Sequence, residues 1–324
     1  MLACLMRLSK EFVTKLKGAL LLGVGVFASC RSVVNEREQI VVSLMSSGGG
    51  SESVRAVDPL TGRSHNITLK SGVRTCFAVG GTQASAAMLV LINRPGKGEA
   101  VPKLAILSSP DADPVLVTGE RFPHLEEGMG SLSPDGTMVV FPIFEQGNRH
   151  SSIWVKDLRR GTLKQISSVT TGNTWDYFPT WLGDSSGIVY HHMIRNESGR
   201  LDGRIMGYVL NSLKVIDLTH VGPVVGIAYA LNEAKVFAAW TAAGLELFRN
   251  DGDATLVIPM SWCAGRLLSP GTMTWNRRGD DIIFALYDRS KNRSELYDVS
   301  VSTKQLKLIS AIQDHRIINV SLTR

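Results

Sequence analysis

Gly183-Asp184-Ser185-Ser186-Gly187 matches the G-x-S-x-G pattern of serine hydrolases, and His191 and His192 follow it closely. That chemistry needs the serine on a sharp turn between a strand and a helix, because the elbow exposes the hydroxyl and backbone N–H groups then line an oxyanion hole. Here the turn is followed by Ile188-Val189-Tyr190, a β-branched and aromatic run that predicts a strand. The pattern therefore reads as a strand-to-strand turn, and no catalytic residue is assigned. His191 and His192 fall just past that strand. Neighbouring residues of a continuing strand point to opposite faces, so the two do not form one metal site by themselves.

Other chemical patterns carry less. Ser47-Gly48-Gly49-Gly50-Ser51 lacks the Lys-Ser/Thr and the following helix of a phosphate cradle. Asp111, Asp113, Asp251 and Asp253 stand in hairpin turns, where Asp is an ordinary turn residue. No Cys-x-x-Cys occurs among the four cysteines. No metal and no cofactor is expected.

The elements that must carry these residues are repeats. Leu132-Ser-Pro-Asp-Gly136 leading to Phe141, Trp181-Leu-Gly-Asp-Ser185 leading to Tyr190, and Trp275-Asn-Arg-Arg-Gly279 leading to Phe284 share one plan. Each has a large apolar residue, a polar turn, then an apolar strand ending in an aromatic ring. In this alignment Ser185 stands where Gly136 and Arg278 stand in the other copies. A weaker copy runs from Tyr229 to Ala238, so that Leu132, Trp181, Tyr229 and Trp275 lie 49, 48 and 46 residues apart. Hairpins alternate with these segments, over Val54–Leu69, Leu104–Thr118, Ile153–Ser167, Ile205–Thr219, Leu245–Pro259 and Leu296–Ser310. A period near 48 with two hairpins per unit predicts an all-β fold, a six-bladed β-propeller of four-stranded blades. Complete blades are expected over residues 74–119, 122–167, 177–219, 222–259 and 268–310. The last blade would combine Gln39–Leu44, Val54–Val57 and Asn66–Leu69 with Arg316–Leu322, pairing the N- and C-terminal strands and removing a free sheet edge.

Ser133-Pro134-Asp135-Gly136 and its partial copies resemble the TolB-like (WD40-like) repeat of bacterial six-bladed propellers, and the period covers residues 38–324. The resemblance is specific for architecture and weak for activity, since the fold carries many functions. It implies a docking surface for envelope proteins, the peptidoglycan-associated lipoprotein among them; with no supported catalytic constellation, a non-enzymatic scaffold is expected. TolB itself carries a further N-terminal α/β domain. The first predicted strand here starts within about ten residues of Cys30, so this form is expected to lack it.

The N-terminus reads as a targeting segment. Arg7, Lys10, Lys15 and Lys17 precede the apolar run Gly18–Ala28, which is too short to span a bilayer and suits a secretory signal. Phe27-Ala28-Ser29-Cys30 resembles a bacterial lipobox, with Phe27 in place of the usual Leu. The expectation is a signal peptide over 1–29, lipidation at Cys30, a linker over 30–37 and a propeller domain over 38–324. By the same resemblance, Arg31 rather than Asp after the cysteine implies the outer membrane, facing the periplasm. Without residues 1–29 the chain has 31 Lys+Arg against 28 Asp+Glu, so the positive charge is small and implies no nucleic-acid partner. Cys76 and Cys263 are left either as a disulfide or as two buried thiols.

Strand order sorts the connections into two ends. Short turns lie at one end. The other is expected to carry long loops over 93–101, 142–151, 191–203 and 288–294 between hairpins, and over 120–128 and 168–178 between blades. These hold Arg149, His150, Trp175, Tyr177, His192, Arg195 and Arg289, a basic and aromatic set suited to an acidic envelope protein or an anionic envelope polymer. A monomeric propeller is expected. The other reading is a glycan- or peptidoglycan-binding propeller, or a lyase or hydrolase acting in the axial channel, with His124, Glu126, His150 and Asp176 drawn from several blades.

Overall fold

The computed structural model describes residues 39–323, apart from 47–51, 70–74, 80–87, 95–100, 120, 123, 146–149, 168–172, 221–223, 225, 230–235, 250–252, 269–272 and 277. Strands dominate, and the helical element among the described residues is the 3-10 turn Met260–Cys263. The strands group into successive antiparallel sheets. Thr75–Val79, Met88–Arg94, Val101–Leu107 and Val115–Leu116 form one of them; Ile227–Tyr229, Val236–Trp240, Gly244–Arg249 and Ala254–Pro259 form another. Two further units, one over Glu126–Gln165 and one over Thr174–His220, are counted as one nine-stranded sheet because a single parallel bridge joins Ser151 to Trp175. The unit over Arg266–Gln313 has the same plan, with the short strands Arg266–Leu267 and Met273–Trp275 both pairing Asp281–Asp288.

The two ends of the domain meet in one sheet. His315–Thr323 pairs antiparallel with Gln39–Ser46, from Gln39 against Thr323 to Ser46 against His315. Glu52–Val57 and Ser64–Ile67 complete that sheet. The pairing of the terminal strands is as the sequence predicts, and the third strand lies two residues earlier than Asn66–Leu69.

Alternation along each second strand explains the core. Val139 and Phe141 pack with Leu89, Leu91 and Leu104 of the preceding unit, while Val140 packs with Trp181, Ile188 and Tyr190 of the following one. Ile188 and Val189 divide the same way, Val189 joining Phe237 and Phe248. Trp240, Trp275, Ile282 and Phe284 share a cluster, whereas Ile283 and Ala285 join Ile40, Val42 and Ile317. Val41 then packs with Met88 and Val90, which closes the cycle of clusters. A period of two thus gives every sheet two buried faces. Each large side chain so buried contributes about 1.5–3 kcal/mol before the entropy of ordering is subtracted.

The strands run further toward the expected long-loop end than the sequence suggests. Trp175 and Tyr177 lie in the strand Thr174–Trp181, not in a loop between blades. His191 and His192 lie inside Gly187–Arg195, and His150 opens the strand His150–Asp157. The hairpin expected over 191–203 shrinks to 196–200, and that over 288–294 to 289–292. Polar residues hold strand geometry here because the neighbouring ladder reaches them: Thr174 opposes Ile194, and Arg195 opposes Leu201.

Candidate functional site

Ser185 sits in the turn between Thr174–Trp181 and Gly187–Arg195, where Trp181 opposes Ile188. Its φ is 60°, and its N–H donates to Leu182 O at 3.0 Å. Gly136 (φ 70°, N–H to Ser133 O) and Gly279 (φ 70°, N–H to Asn276 O) repeat this geometry. Gly279, not Arg278, is therefore the third counterpart, one residue along from the sequence alignment. A left-handed position suits glycine, and serine fills it at a steric cost. Gly187 is fixed by crowding, because a Cβ there would stand 2.7 Å from Tyr208 O. The motif is built by turn sterics. Six of the seven steps from Ser185 to His192 run along or into one extended strand, so the two side chains are on the order of 20 Å apart and cannot act as nucleophile and base.

The other end of the same sheet carries the polar groups. Asp176 and His192 oppose each other across the ladder, and His192 Nδ1 lies 2.6 Å from Asp176 Oδ1. The Asp176 side chain is 2% exposed and that of His192 25%, so a buried carboxylate orients a half-open imidazole. Ser151 of the preceding unit fixes the Asp176 backbone twice: its hydroxyl donates to Asp176 O and accepts from Asp176 N–H, both at 2.9 Å. Tyr190 lies on the same face, and burial together with the Asp176 charge pushes its phenol well above the usual range. Such an imidazole can accept or hold a proton. No group of three or more His, Cys, Asp or Glu suited to a metal ion occurs among the described residues.

Other predicted residues gather nearby in the sheet. The Arg195 guanidinium lies 5.5 Å from the ring centre of Trp175, which is buried. Tyr177 packs against Phe144 at 5.7 Å, and burial plus the charge of Glu126 push its hydroxyl to about 12. Burial raises the pKa of Glu126 as well. His150 Nε2 meets Glu145 Oε2 at 2.7 Å. Arg289 is exposed in the turn 289–292, and His124 is exposed in a turn before Glu126. Arg149 and Cys30 lie outside the described residues, as do residues 1–38 as a whole. Cys263 is a free, buried thiol, pushed up to about 11 by burial despite Arg266 nearby; the side chain of Cys76 is outside the described set.

One cluster has no forerunner in the sequence reading. Glu295 is 2% exposed and receives Tyr297 OH at 2.6 Å, Arg293 Nε at 2.9 Å and the Arg266 guanidinium at 3.6 Å. Arg266 also stacks 4.8 Å from the centre of Trp262. Burial pushes the carboxyl up, but the hydrogen bonds from Tyr297 and Arg293 and the charges of Arg266 and Arg293 outweigh it and hold Glu295 below the usual range. The available signal was a glutamate between an arginine and a tyrosine at alternate positions of one strand, Arg293, Glu295 and Tyr297, which share a face. The partner Arg266 gives no sequence signal, since pairing between distant strands brings it there.

With this geometry in place, known structures can be set beside it. TolB from Acinetobacter baumannii superposes with a TM-score of 0.63 at 15% identity, over 88% of this chain and 66% of that one. The fold is that of a TolB-like β-propeller. A putative TolB from Agrobacterium tumefaciens gives 0.57 at 13% identity, covering 88% of this chain and 97% of that chain. An oligogalacturonate lyase in complex with manganese gives 0.51 at 12% identity, over 85% and 73% of the two chains. The propeller therefore spans just under two thirds of the first TolB chain and nearly all of the second. No protein-family model and no curated protein matches the sequence.

Proposed function

We propose that the protein is a six-bladed, lipid-anchored propeller of the bacterial cell envelope that serves as a non-enzymatic docking scaffold for another envelope protein. The observation that carries this reading is the separation of Ser185 from His192 along one strand, which removes the nearby histidine as a base for the hydrolase motif. The opposite end presents Arg195 at the end of a paired strand and Arg289 in a tight turn between two strands, both exposed. The cycle of shared clusters supports six blades. The lipobox-like Phe27-Ala28-Ser29-Cys30 supports the anchor and, with Arg31, the outer membrane. The likeness to TolB supports the envelope setting, with a partner resembling the peptidoglycan-associated lipoprotein or an anionic envelope polymer.

Photocrosslinking in cells from Arg195 and Arg289, with Asp135 at the short-turn end as control, tests the docking role. One dominant protein adduct from the first two positions and none from Asp135 is the expected result. Equal labelling from Asp135, or no adduct, removes the docking end. Mass spectrometry of the mature N-terminus tests acylation of Cys30.

A second reading has its own observation. The Asp176–His192 pair is a half-open imidazole backed by a buried carboxylate, an arrangement that proton abstraction can use, and one structural neighbour is an oligogalacturonate lyase. Turnover of an acidic glycan that is abolished by His192→Gln would favour it over the scaffold.

A further inference from the structure

The cluster around Glu295 is unbalanced. Two guanidiniums, Arg266 and Arg293, share one buried carboxylate, and their side chains remain 23% and 27% exposed. A guanidinium has five N–H donors. Arg293 spends its Nε and one terminal nitrogen on Glu295 Oε1, while Arg266 reaches Glu295 Oε2 and Trp262 O. Both guanidiniums keep further N–H donors on side chains that remain partly exposed. Each group is also held still: Arg266 by the Trp262 ring and Glu295, and Arg293 by a two-pronged contact on Glu295. Prepaid ordering of this kind is what makes an arginine fork recognise a carboxylate.

From this we infer that Arg266 and Arg293 form a carboxylate-binding site for an acidic segment of a protein partner. The inference rests on the docking reading and names the chemistry of the partner. The neighbouring turn extends the positive surface, with Arg289 exposed and Lys291 half-open over Asp288 at 3.1 Å. Counting Asp288, Glu295 and Asp314, which accepts from Asn292 of the turn, against Arg266, Arg289, Lys291 and Arg293 leaves one excess positive charge, which suits an acidic peptide. A sugar acid would gain from an open aromatic face for its ring in addition to the guanidiniums. Trp262 does not offer one freely, because its ring is engaged by Arg266 and meets Phe284 and Tyr297 edge-on at 6.3 and 5.2 Å.

The test is calorimetric titration of the full-length protein with a hexaglutamate peptide, in low and moderate salt. An oligogalacturonate of equal charge is the comparison. Binding of hexaglutamate that weakens with salt is expected. Arg266→Gln and Arg293→Gln should each weaken it at least five-fold, and Arg160→Gln at the short-turn end should leave it unchanged. Glu295→Gln, which keeps both guanidiniums and an amide oxygen to orient Arg293 while removing the competing charge, should tighten it several-fold at a temperature where the variant remains folded. The exposed Arg289→Gln, which disturbs no buried group, should weaken it about two- to three-fold. Absence of hexaglutamate binding, an equal loss in Arg160→Gln, no tightening in folded Glu295→Gln, or tighter binding of the oligogalacturonate would each overturn the inference. A protein adduct from Arg195 that persists in Arg266→Gln would sink this site while leaving the docking role standing. No adduct from either end would remove the role itself.

Discussion

The indole Nε1 of Trp181 donates a 2.8 Å hydrogen bond to the carbonyl oxygen of Ser131, fifty residues earlier in the chain. Trp275 does the same to Ala228 O at 2.9 Å. In the repeat, Ser131 and Ala228 each precede the residue that corresponds to the tryptophan, so the two bonds are copies of one latch between successive units. Leu132 holds the position in the unit before Trp181 and has no donor to offer. At the opposite end, serines of the third strands complete the join: Ser151 brackets Asp176, and Ser294 accepts the N–H of Ile317 at 2.7 Å.

The latch predicts a stability loss. Trp181→Phe leaves a half-buried carbonyl without its donor and removes packing volume, which together cost about 1–4 kcal/mol. Trp275→Phe should cost a similar amount. Because the two sites lie in different units, the double variant should show the sum to within about 0.5 kcal/mol. Thermal and denaturant unfolding measure this. An unchanged midpoint in Trp181→Phe would show that the hydrogen bond contributes nothing.

Ser185 gives a prediction of opposite sign. Its φ of 60° is left-handed, and glycine fills the same position at Gly136 and Gly279. Ser185→Gly should therefore be neutral or stabilising by up to about 1 kcal/mol, whereas Ser185→Val should destabilise by more than that. A nucleophile could not be treated this way. Loss of a specific esterase or peptidase activity in a fully folded Ser185→Gly protein would contradict the turn reading.

The repeat made the architecture readable because burial on both sheet faces forces a period of two within strands and a fixed spacing between units. Trp181, Val189, Trp275 and Ile283 could be assigned to the interior on that ground alone. The polar end was less readable. Trp175, Tyr177 and His192 look like loop residues by composition, but ladder partners in the neighbouring strand hold them extended. The Asp176–His192 pair follows from register, which a sequence does not print. Glu295 and Arg266 meet only because strands 27 residues apart share a sheet.

Closure of the ring should be cooperative. Ile317 and Val320, in the terminal strand, are buried against Ile40, Val42 and Leu296, and the strand pairs along the whole of Gln39–Ser46. Removing residues 315–324 exposes that edge and one face of two sheets. The truncated protein should unfold at a markedly lower temperature and should bind hydrophobic dyes. A thermal midpoint equal to that of the intact chain would show that the sheet holds without its C-terminal strand.

Two carboxylates should give opposite pH signatures. Glu295 is held below its ordinary value by Tyr297, Arg293 and Arg266 despite burial, so its contribution to stability is complete above the unfolded value near 4.5 and is lost as pH falls through the lower folded value. Glu126 is raised by burial, so folding favours its protonated form; its contribution is complete below the unfolded value and lost as pH rises through the folded one. Glu295→Gln should therefore destabilise the domain at neutral pH, with the difference from wild type shrinking as the pH falls below 4. Glu126→Gln should do the reverse, raising the midpoint slightly at pH 7 and having no effect near pH 3. Denaturant unfolding of both variants between pH 3 and 7 measures the two slopes. Parallel pH profiles for wild type and Glu295→Gln would mean that the two arginines and Tyr297 do not stabilise the charged form of Glu295 over its neutral form.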